Sequence, residues 1–132
     1  MIPRKLSGAI LKFAKKYPVV SVTGPRQSGK TTLVRSLFPN HKYLSLENPE
    51  TRLRALNDPK GIFDRMDQLL ILDEIQHVPE LLSYIQVISD EQKIQGQFIL
   101  TGSQSLLLSI RNEIICTFVE IQNVCKQIIL FS

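Results

Sequence analysis

Hydrophobic positions along the chain fall into short blocks with two different periods. Leu6, Ile10, Phe13 and Tyr17 recur every three or four residues with lysines opposite, predicting an amphipathic helix over residues 3–17 that Pro18 stops. Residues 19–23, Val-Val-Ser-Val-Thr, are mostly β-branched and predict a short buried strand. A Gly-Pro-Arg-Gln-Ser-Gly turn then leads into a helix from Lys30 to Phe38, ended by Pro39 and Asn40. Residues 42–46 predict a second strand. Pro49 opens a short helix through residues 51–56, which Asn57, Asp58 and Pro59 close. Leu69 to Leu72 form a continuous apolar run ending in Asp73 and Glu74, the pattern of a strand covered on both faces. Pro79 suits the first position of a helix whose apolar stripe is Leu81, Leu82, Ile85 and Ile88. Phe98 to Leu100 predict a fourth strand, ending in Thr101, Gly102, Ser103 and Gln104.

Strands alternating with helices imply an α/β fold with a mostly parallel sheet and right-handed crossovers. Ligands of such sheets bind beyond the carboxyl ends of the strands. The polar clusters at residues 24–32, 73–74 and 101–104 all fall at those ends.

Composition narrows the class. The 132 residues suit one domain, and 43% hydrophobic against 21% charged residues is a globular balance. No apolar run exceeds four residues, against the roughly twenty of a membrane-spanning helix, so no membrane insertion is expected. The N-terminus lacks the separate apolar block of a signal peptide. Two cysteines, Cys116 and Cys125, provide neither a disulfide framework nor metal spacing. A cytoplasmic protein is expected. The net charge of +4 conceals an asymmetry: residues 1–46 carry nine Lys/Arg and no acid, the remainder seven Lys/Arg and twelve acids. A basic front suits a polyanionic ligand, and it equally suits a solvated helix face.

Gly24-Pro25-Arg26-Gln27-Ser28-Gly29-Lys30-Thr31 fits the phosphate-loop pattern G-x-x-x-x-G-K-[ST], which arises by chance in roughly one chain in two hundred of this length. The glycines let backbone N–H groups approach phosphate oxygens, and the following helix points its positive end at the same anion. Residues 24–32, through Thr32, are therefore expected to bind nucleotide. Lys30 is expected to reach the β- and γ-phosphates, and the Thr31 hydroxyl to bind Mg²⁺. Asp73 is placed to hold Mg²⁺ beside Thr31, and Glu74 to orient and deprotonate an attacking water. At the end of the next strand, Ser103 or Thr101 is expected to sense the γ-phosphate if that strand lies between the first and the Asp73 strand. His41 and His77 read as surface residues.

Tyr17-Pro18-Val19-Val20, the run Thr23 to Leu33, Tyr43-Leu44-Ser45-Leu46-Glu47, Asp58-Pro59, Leu72 to Gln76, Pro79 to Leu82 and Phe98 to Gln104 together resemble a family of prokaryotic AAA-type ATPases. Its members pair an N-terminal ATPase domain with a C-terminal domain of unknown function. The resemblance covers about residues 4–108. It implies a three-layer α/β/α P-loop fold with AAA strand order, ATP and Mg²⁺ as cofactors, Lys30, Thr31, Asp73 and Glu74 in the roles above, and a ring or a dimer.

Beyond residue 108 the chain departs from the family pattern. Arg111 does not match the family arginine, and the segment around it lacks the expected further strand. The organisation expected is a nucleotide-binding core over 1–108 and a divergent tail over 109–132, truncated by a frameshift or split gene. In that tail Ile114, Ile115, Phe118, Val119, Ile121 and Val124 suggest a helix, and residues 127–131 an edge strand. A transition-state arginine is worth roughly 10³–10⁵ in rate, so Mg²⁺-dependent ATP binding with weak hydrolysis is the expected function. Two alternatives stand beside it. One is a non-catalytic nucleotide-dependent module contacting DNA or a protein. The other is a small-molecule kinase, which the glutamate directly after the metal-binding aspartate disfavours.

Overall fold

A computed structural model of the chain describes residues 4–23, 29–63 and 69–102. Its elements run α1 (Arg4–Lys16), β1 (Val19–Thr23), α2 (Lys30–Leu37), β2 (Lys42–Ser45), α3 (Pro49–Asn57), α4 (Pro59–Ile62), β3 (Leu70–Asp73), a 3₁₀ turn (Ile75–His77), α5 (Leu81–Gln92) and β4 (Phe98–Gly102). The four strands form one parallel sheet in the order β1-β4-β3-β2. β4 therefore lies between the strand preceding the Gly-rich turn and the strand that carries Asp73.

The sheet is covered on both faces, which is why its strands read as apolar runs rather than as alternating patterns. Successive side chains point to opposite faces. Val20, Val22, Ile71 and Ile99 face α1 and α2, packing with Ile10, Leu33 and Val34. Val19, Leu70, Leu72, Phe98 and Leu100 face α3, α4 and α5, packing with Ala55, Ile62, Leu81, Leu82 and Ile85. The result is the α/β/α layering of a P-loop domain. Among the described residues no helix is long and apolar enough to cross a membrane.

Local differences from the sequence expectations have specific causes. α3 runs Pro49–Asn57, opening at Pro49 as expected and ending one residue beyond Leu56; the Asn48 side chain caps its start by accepting from the Glu50 N–H at 2.9 Å. Pro59 does not merely close α3. It opens α4, a short helix capped by Asp58, whose Oδ1 accepts from the Gly61 N–H at 3.2 Å. Pro79 lies in the turn ahead of α5, whose first residue is Leu81. β3 extends to Asp73 and β4 to Gly102, because these polar residues still pair with neighbouring strands, Asp73 with Ser45 and Gly102 with Thr23. His41 is not a surface residue: it is half-buried, its ring lies 5.0 Å from that of Phe38, and its Nε2 meets the Gly96 carbonyl oxygen at 2.7 Å. That burial lowers its pKa below the ordinary histidine value. The predicted tail elements, together with Arg111, Cys116 and Cys125, lie outside the described residues.

Candidate functional site

In a parallel sheet all carboxyl ends fall on one edge. The ends of β3 and β4 bring Asp73, Glu74 and Thr101 together there, and α2 begins alongside. Gly29 precedes α2 with φ 90°, in the left-handed region that glycine enters without steric cost. Lys30 is the first residue of α2 and is buried; its Nζ lies 3.2 Å from Glu74 Oε2. One residue on, Thr31 Oγ1 donates to Asp73 Oδ1 at 2.7 Å. The two sequence motifs, more than forty residues apart, thus meet as two side-chain pairs.

Asp73 gathers further hydroxyl groups. Thr101 Oγ1 also donates to Oδ1, and Tyr43 Oη donates to Oδ2 at 2.8 Å. An ionised carboxylate is an acceptor with about four lone-pair positions, and three hydroxyls here engage it. Burial is the first cause, and the hydrogen bond to Asp73 the second, that push the Tyr43 phenol up to about 12. At neutral pH Tyr43 therefore stays a donor.

Glu74 leaves β3 with φ 57° and ψ 53°. A non-glycine residue in the left-handed region costs about 1–3 kcal/mol and persists only where its surroundings hold it. Here the Glu74 N–H donates to Thr101 Oγ1 at 3.0 Å, and Gln76 Nε2 donates to Glu74 Oε1 at 2.7 Å. The turn aims the carboxylate at Lys30 rather than along the strand.

Thr101 is fully buried, and its single hydroxyl proton goes to Asp73 while its oxygen accepts from Glu74. It holds the two acids in place; its hydroxyl is not available to sense a phosphate. Thr101→Val keeps the shape but leaves the buried Glu74 N–H without its acceptor. The expected loss is about 1–3 kcal/mol of unfolding free energy. Thr101→Ser retains the hydroxyl and costs about 1 kcal/mol for the lost methyl. Thermal unfolding checks the pair, and a Val variant as stable as the native protein would contradict this role.

Gly29, Lys30, Thr31, Asp73 and Glu74 are brought into one site, and Thr32 is exposed on the first turn of α2. Gly24, Pro25, Arg26, Gln27, Ser28 and Ser103 lie outside the described residues. The sequence reading did not single out Tyr43 or Gln76 as site residues. Tyr43 opens one of the runs that carry the family resemblance but has no site chemistry legible from its spacing, and only the β2–β3 pairing brings it beside Asp73. Gln76, two residues after Glu74, was open to detection as a polar side chain in the turn that follows the acidic pair.

Hard oxygen donors and a buried ammonium at a helix start fit a nucleotide phosphate with Mg²⁺. Among the described residues there is no group of three or more His, Cys, Asp or Glu side chains able to hold a metal.

A family profile described as an AAA domain matches residues 16–119. Two proteins described only as uncharacterized, one from Mycobacterium bovis and one from Mycobacterium tuberculosis, are each 35% identical to this chain over 108 residues. The aligned part covers 80% of this chain and 24% of each relative. The chain thus matches about a quarter of the length of these relatives.

Proposed function

This chain belongs to the AAA-domain family, and from that premise we propose that it binds ATP with Mg²⁺ at the edge where β3, β4 and α2 meet, and hydrolyses it slowly. The observation that carries the reading is the pairing of Lys30 with Glu74 and of Thr31 with Asp73. Lys30 and the start of α2 would take the phosphates. Thr31 and Asp73 would hold Mg²⁺, which when bound neutralises charge developing on the phosphate oxygens. Glu74 is the base: its carboxylate would orient a water and accept its proton. Ser103 is the remaining candidate for sensing the γ-phosphate. The slow rate is part of the proposal and rests on the expectation that Arg111, which lies within the profile-matched residues 16–119, does not act as the family arginine, a group worth roughly 10³–10⁵ in rate.

A second reading, a polyanion partner such as DNA, is favoured by how the fold distributes charge. α1 and α2 lie on the same face of the sheet, and their sequences contain Lys and Arg but no Asp or Glu. Lys12, Lys15, Lys16 and Arg35 are exposed there. The opposite face is mixed, with the exposed acids Asp90 and Glu91 of α5 beside the exposed Arg54 of α3 and Lys60 of α4. Measuring phosphate release from ATP with Mg²⁺, with and without duplex DNA over a range of salt, tests both readings. Slow, EDTA-sensitive release is expected, and no release under any condition contradicts the hydrolytic reading. Stimulation by DNA that fades steeply with salt supports the polyanion surface; a DNA-independent rate argues against it.

A further inference from the structure

Two side chains hold the Glu74 carboxylate, one at each oxygen. Lys30 Nζ lies 3.2 Å from Oε2, and Gln76 Nε2 donates to Oε1 at 2.7 Å. An ionised carboxylate only accepts, so the Gln76 amide presents its nitrogen here and not its oxygen.

The turn that carries Gln76 is pinned. The His77 N–H donates to the Glu74 carbonyl oxygen at 3.2 Å, and the Val78 N–H to that of Ile75 at 3.0 Å. Ile75 and Val78 are fully buried, packed in the same core as Leu81, Leu82 and Ile85. The other polar end of Gln76, its Oε1, is buried with no hydrogen-bond partner among the described residues. An unpaired buried acceptor is unfavourable. Packing alone would be served better by an apolar side chain of similar length, so the amide is accounted for by its contact with Glu74.

The two contacts differ in what a nucleotide does to them. In the reading above Lys30 turns toward the phosphates, and its hold on Oε2 weakens just as Glu74 is called on to take a proton. The Gln76 contact comes from the turn that follows Glu74 itself and does not draw on Lys30. A long carboxylate side chain needs such a hold, because a reacting group displaced by about 1 Å can lose about 10²-fold in rate. We propose that Gln76 is the positioning residue of the base: by holding Oε1 it keeps the Glu74 carboxylate aimed at the attacking water while Lys30 is engaged with phosphate. The inference rests on the ATP-hydrolysis reading of this site.

The test is single-turnover phosphate release from radiolabelled ATP with Mg²⁺ by the native protein, Gln76→Met and Glu74→Gln, beside binding of a non-hydrolysable fluorescent ATP analogue. Thermal unfolding first fixes a temperature at which all three are folded. Methionine keeps the reach and bulk of glutamine without its N–H. In Gln76→Met phosphate release should fall about ten- to a hundredfold. Analogue affinity should stay within about twofold of the native value, the mark of an interaction used in turnover and not in binding. A merely structural role would lower affinity as far as the rate, and that result overturns the proposal, as does a rate that is unchanged or raised. The ATP-hydrolysis reading fails in other arms. No release by the native protein, or release at the native rate by Glu74→Gln, removes the base and the proposal with it. Where the native protein hydrolyses ATP and Glu74→Gln is slowed, a Gln76→Met as fast as native removes the proposal alone.

Discussion

Lys30→Ala is expected to lower ATP affinity by about ten- to a hundredfold, the worth of a charge-assisted contact of about 1.5–3 kcal/mol. The same substitution has a second consequence that the phosphate-loop pattern does not announce. Lys30 and Glu74 form a buried pair, with side chains 3% and 7% exposed. Removing one member of such a pair strands the other charge and costs about 3–5 kcal/mol of stability. Loss of binding and loss of fold must therefore be separated. Removing Glu74 as well, in Lys30→Ala/Glu74→Ala, leaves no stranded charge; it should regain much of the lost stability while ATP binding stays weak. Calorimetric titration with ATP, alongside thermal unfolding of the single and double variants, reads both effects. Unchanged ATP affinity in the single variant refutes the phosphate site.

Glu74→Gln should lower turnover far more than ATP affinity, and because it takes the Glu74 counter-charge from the buried Lys30 ammonium, thermal unfolding is followed alongside. Glutamine keeps the length and shape of the side chain and can still hydrogen-bond Gln76, but it cannot accept a proton from water. Phosphate release is expected to fall by about 10²–10⁴, the usual contribution of a positioned general base. ATP affinity should stay within a few-fold of the native value, since Lys30 and Thr31 remain. The two variants thus separate binding from chemistry at neighbouring side chains. Hydrolysis at the native rate in Glu74→Gln would show that another group activates the water.

Much of the site is legible in the residues because its chemistry is local in sequence. The run Gly24 to Thr31 needs glycines, a lysine and a hydroxyl at fixed spacing, and an apolar strand ending in Asp73-Glu74 announces a pair of acids at a sheet edge. The α/β class is legible for a similar reason: continuous apolar blocks such as Leu69 to Leu72 imply strands covered on both faces, and amphipathic helices alternate with them. Short-range competition blurred the element ends. Asp58 closes one helix and caps the next, and Pro79 belongs to a turn rather than to α5.

Long-range placement was decided by the packed fold. That Tyr43 reaches Asp73 depends on the pairing of β2 with β3. That Thr101 serves the two acids, and not a phosphate, depends on β4 lying beside β3 and on burial that consumes both hydrogen-bonding functions of one hydroxyl. The left-handed turn at Glu74 likewise has no signature in its own residue type. It is held by partners on β4 and at the start of α2, contacts that form only when the sheet is assembled. Residue type and spacing specify which groups are available for the chemistry. Strand order and burial specify which of those groups are already engaged, because a hydrogen bond made inside the fold removes that donor or acceptor from any ligand.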